Sequence, residues 1–282
     1  MMDLQTIIDS VVKLPPTPQI LPRLQSLLRN PDSGIHDIIS LLKVDAPMTA
    51  QIVRLSNSAY FGASDPSQSL EEAVGRLGFR EVYKVVSMAA TSQVFGGDIP
   101  AYRLKKGELL SHSIACAVAM VEVDSHGMQE GLDTVYTIGL LHSLGKVVIN
   151  QYYLKHGLEI YTADAETEFT PALERKLLGF DHADAGAAIL RKWNFPKEIY
   201  EPIQFQYNPL EAPSVSVGAC MLYVARFAAL VLDSGQSRSI PPFEGDSAIL
   251  AKIGMSEDDL REAIQNAAEG LSEIQSMVGL LH

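Results

Sequence analysis

The chain has 282 residues, 47% of them hydrophobic and 20% charged, a balance that excludes a disordered chain and lets roughly three quarters of the unfolded surface be buried. Its net charge is −12, and the last 50 residues carry 3 basic against 9 acidic side chains, half of the excess; with no basic stripe, nucleic acid is excluded as the default partner. Two distant cysteines, Cys116 and Cys220, and a start (Met1-Met2-Asp3-Leu4) without a basic leader point to a reducing cytoplasm, and no apolar run is expected to reach the ~18 residues that span a bilayer.

Helical periodicity starts at once. Leu4, Ile7, Ile8, Val11 and Val12 share one face, and Pro15-Pro16 ends that run. Leu21, Leu24, Leu27 and Leu28 predict a second helix that opens near Pro22, since an interior proline would lose a backbone bond. Ile35, Ile38, Ile39 and Leu42 predict a third. A fourth runs from about Asp45 to Ser56-Asn57-Ser58, where small polar side chains compete for backbone bonds. Ser69-Leu70-Glu71-Glu72 has capping-box spacing and starts a helix that ends at Gly78, with another following through Val82, Val85, Val86 and Ala89.

Gly96-Gly97-Asp98-Ile99-Pro100 strings breakers between two helical regions and marks the best internal boundary. Beyond it, helices are expected over about 103–123 and 132–153. Thr170-Pro171 caps a helix ending near Gly179, Asp181 caps the next as far as Trp193, and Pro196 opens another. An apolar helix over 214–232, a loop at 234–245 and two short helices capped near Ser256 complete the chain. No alternating strand pattern appears, so the fold class is all-α. The expected organisation is an N-terminal helical part (1–100), a second helical part (101–232) and an acidic C-terminal loop with two short helices (233–282).

His112, His142 and His182 each sit on a predicted helix or at its start. Alone, each reads as a core histidine with one ring nitrogen on backbone. Together with their surroundings they say more. The fragments Leu14-Pro15-Pro16-Thr17-Pro18, Arg54-Leu55-Ser56-Asn57-Ser58-Ala59-Tyr60-Phe61 and Leu70-Glu71-Glu72-Ala73-Val74 occupy the first half. Ser111-His112-Ser113, the octet Gly139–Lys146 and Gly179-Phe180-Asp181-His182-Ala183-Asp184-Ala185-Gly186 follow, and Trp193-Asn194-Phe195-Pro196 closes the series. In this order they resemble the HDOD domain of bacterial signalling proteins, a relative of the HD metal-dependent phosphohydrolases, over about residues 10–230.

The resemblance implies roles position by position. His112 is similar to the first histidine of the HD fold, His142 to the histidine of the His-Asp doublet, and His182 to the third. The carboxylates are missing. Ser143 stands for the doublet aspartate, Gln206-Tyr207 for a His-His pair, and Arg226 for the last aspartate. A hydroxyl is a poor ligand for a hard dication, and a guanidinium repels one and keeps its proton. Three imidazoles could still hold at most one zinc or nickel ion, but not a two-metal centre with bridging oxygens. Glu174, Asp181 and Asp184 are expected either to bond the histidines, as carboxylates do behind metal ligands, or simply to cap helices.

Other chemistry is scarce. No phosphate-binding loop, nucleophile elbow or H-E-x-x-H helix is present. His112 and Cys116 lie four apart on one helical face, a nucleophile–base spacing, though buried thiols are usually inert. Lys146 reads as a solvated or capping lysine. Asn57, Tyr60 and Phe61 are expected to build a contact surface or to plug the joint between the two halves. The expected function is therefore non-catalytic signal transduction in the bacterial cytoplasm through contacts with other signalling proteins, with no cofactor, nucleic acid or membrane. The alternatives are a rearranged phosphohydrolase and a small-molecule sensor that uses the remnant cleft.

Overall fold

The computed structural model describes residues 4–10, 20–30, 32–43, 46–57, 66–124, 131–157, 170–214, 216–235 and 240–279. Among these the chain is helical with no strand; one isolated antiparallel bridge joins Ile99 to Leu104. The helices are α1 (Leu4–Ser10), α2 (Ile20–Arg29), α3 (Ile35–Leu42), α4 (Ala46–Ser56), α5 (Leu70–Phe95), α6 (Glu108–Val123) and α7 (Leu132–Leu141). They continue with α8 (Leu144–His156), α9 (Pro171–Leu178), α10 (His182–Lys192), α11 (Lys197–Gln204), α12 (Ser216–Asp233), α13 (Ser247–Lys252) and α14 (Glu257–Gly279).

Several boundaries follow the sequence. Ser69 accepts from the Glu72 amide at 3.1 Å, but the Glu72 carboxylate reaches the Gln68 amide and not that of Ser69, so the expected box is only half made. Gly78 adopts φ 74°, ψ 163° and splits α5 into two helical arms, where a side chain would strain the turn. The helix expected from residue 103 starts at Glu108 instead, because Arg103 is left-handed (φ 56°) and the Glu108 carboxylate accepts from the Lys105 amide. The run over 132–153 is two helices, broken at His142-Ser143. At the C-terminus the first helix lies earlier than expected, at Ser247–Lys252, and the second is long, with 23 residues. α12 also corrects the expectation on apolar runs. By length and composition it could cross a membrane, but it lies in the core of this fold.

α2, α3 and α4 gather on α5, which packs on α6, α7 and α8 and so joins the first half to the second. A polar link crosses that joint: Tyr83 bonds Thr137, and Gln25 donates to the Asp133 carbonyl. α6 lies against α7, α12 and α14, while α10 lies between α8 and α11. Two glycines of the histidine octet set these distances. A Cβ on Gly139 would lie 2.6 Å from the Ala117 Cα, and one on Gly145 would overlap the His182 carbonyl. The octet is thus where α7 closes on α6 and α8 closes on α10, which brings three chain-distant histidines near one another.

Candidate functional site

His142 sits at the break between α7 and α8 and is buried. Its Nδ1–H donates to the Gly139 carbonyl at 2.7 Å, which fixes the tautomer, since a carbonyl can only accept. Nε2 therefore accepts, and the Ser143 hydroxyl donates to it at 2.9 Å. Burial first, then the neighbouring His112 and Arg226, hold His142 well below the usual imidazole range. It is a neutral ring with both nitrogens occupied.

His182 opens α10 and is equally buried. Its Nδ1–H donates to the Glu174 carboxylate at 2.8 Å, and its backbone N–H donates to the same group. The Tyr207 hydroxyl donates to Nε2 at 2.8 Å. Burial pushes His182 down to about 4, against the upward pull of Glu174. Burial also pushes the Tyr207 hydroxyl up to about 12, so it keeps the proton it donates. Glu174 thus bonds a histidine, whereas Asp181 and Asp184 cap a helix: Asp181 caps α10, the pair forms a capping box, and Arg175 binds both at 2.9 and 3.2 Å.

His112 faces His142 edge to face, with ring centroids 5.2 Å apart. It is partly exposed, and its Nδ1–H donates to Asp233 at 2.6 Å. Asp233, the last residue of α12, was not singled out in the sequence; only its distance of seven residues from Arg226, two turns along one helix, hinted at it. Tyr102 was missed too. It stands edge-on to His182 at 6.1 Å and carries Lys146 over its ring at 5.5 Å, so Lys146 is no free surface lysine. Arg226 lies over the Tyr207 ring at 4.1 Å and donates to the Gln206 carbonyl at 3.1 Å. Gln206 in turn donates to the carbonyls of His142 and Ile203. Cys116 is buried with its thiol pushed up to about 12, which removes it as a nucleophile. Asn57 bonds both backbone groups of Ser67, while Tyr60 and Phe61 lie outside the described residues.

These residues do not fit a two-metal centre. Both buried histidines give their Nε2 lone pairs to hydroxyls, and the nearest carboxylate, Glu174, is spent on His182. Among the described residues no three His, Cys, Asp or Glu side chains converge as a metal-binding group. Cations occupy the flanks instead, with Lys146 on Tyr102 and Arg226 on Tyr207. The order along the site is cation, aromatic ring, imidazole, aromatic ring, cation.

The chain is 28% identical over 210 residues to an uncharacterized protein of Treponema pallidum (strain Nichols), a stretch that is 74% of this chain and 40% of that protein. The chain therefore spans less than half the length of that relative. A solved structure from Marinobacter aquaeolei VT8, named for signal transduction, superposes with a TM-score of 0.70 at 22% identity, over 97% of this chain and 61% of that one. Another from Shewanella amazonensis SB2B, named for phosphohydrolase activity, gives 0.64 at 22% identity, over 99% and 96%. At such identities they share the fold and nothing narrower. Residues 14–209 match the HDOD domain, more than half of the chain, and the protein belongs to that family.

Proposed function

We propose that this chain is a non-catalytic regulatory protein of bacterial signal transduction, acting in the cytoplasm through contacts with other signalling proteins. The observation that carries this reading is the pair of hydroxyls, Ser143 on His142 and Tyr207 on His182, each placed on the lone pair that a metal ligand would need. A second feature points the same way. Arg226 brings a fixed positive charge to the ring of Tyr207, beside the histidines, and the two carboxylates there, Glu174 and Asp233, are already bonded to His182 and His112. A preorganised site fails when its first ligands are absent. At most one zinc or nickel ion would bind on the histidines His112, His142 and His182.

The test is a panel of nucleotide and generic phosphoesters, supplemented with manganese, iron or magnesium, on protein without a histidine tag. Turnover is expected at background for the natural chain and for Ser143→Asp, because Arg226 and Tyr207 remain. Turnover well above a His142→Ala control, or two equivalents of metal per chain by elemental analysis, would overturn the reading in favour of a phosphohydrolase.

A further inference from the structure

We draw no further inference here: the strongest candidate, the half-buried Arg226 guanidinium on α12 at the edge of the histidine cluster, belongs to the site already described, where the Tyr207 ring and the Gln206 carbonyl engage it, and nothing in the structure shows a ligand that it would hold.

Discussion

Around His142 and His182 all four ring nitrogens are bonded inside the core, whereas Ile240–Gly245 packs through the side chains of Ile240 and Phe243 and, among the described residues, makes no backbone–backbone hydrogen bond. The first region is polar and buried without being loose. Two hydroxyls, a carbonyl and the Glu174 carboxylate satisfy the rings, because an unpaired polar group in the core costs about 1–3 kcal/mol. The second region is held by side-chain packing instead. Polar bonding is thus concentrated around the two buried histidines, while the segment after α12 is held by side-chain packing.

The sharpest way to break this contrast is to remove Glu174, which has no exposed surface. Glu174→Ala strands the Nδ1–H and the backbone N–H of His182 together. A loss of about 3 kcal/mol or more is expected, or a fall of roughly 6 °C or more in Tm, read by urea and thermal unfolding. Glu174→Gln keeps one acceptor oxygen and should cost markedly less. Equal losses from the two variants would mean that shape and not hydrogen bonding holds the site.

Acid is the next largest lever. His182 has a folded-state pKa of about 4 against an ordinary value of 6.5. As pH falls, the unfolded chain takes up that proton first. The contribution is therefore complete above about pH 6.5 and is lost as pH falls toward 4, about 3 kcal/mol in all. His142, also held below its ordinary range, acts in the same direction. Urea unfolding at stepped pH should show stability falling through this window, and His182→Gln should flatten the slope. An unchanged slope would show that His182 is not the buried neutral base described above.

Much of the fold was legible because local rules and tertiary packing agree in it. Ser69, Thr170 and Asp181 cap helices as their spacing indicates, and Ile35–Leu42 shows its apolar face over the predicted residues. The misreadings have local causes. A helical period ran unbroken through His142-Ser143, yet the chain breaks there because the ring bonds back to Gly139 and α8 must close on α10 at Gly145. At the site, the identities of His112, His142, His182 and Glu174 could be read from their surroundings. Their bonds could not, since Tyr207, Tyr102 and Asp233 come from elements whose approach only packing decides. Nothing about a tyrosine after a glutamine announces that its hydroxyl will fill an imidazole lone pair.

The smallest expected effect lies on the other side of the comparison. Phe243→Ala removes two edge-to-face contacts and part of a ring's buried area, and a half-buried phenylalanine is worth about 1 kcal/mol by area. No backbone bond goes with it, so the loss should stop there, at roughly 2–4 °C in Tm, with the acid dependence set by His182 unchanged. Hydrogen exchange gives a finer reading of the natural chain. Amides of Ile240, Phe243 and Glu244 should exchange far faster than those of Ala185–Ile189 in α10, because local opening costs least where backbone bonds are absent. A loss near 3 kcal/mol on Phe243→Ala, or slow exchange at these amides, would make the segment part of the core and erase the difference between the two regions. A small loss with fast exchange would place the segment among side-chain contacts that add little to the stability of the core.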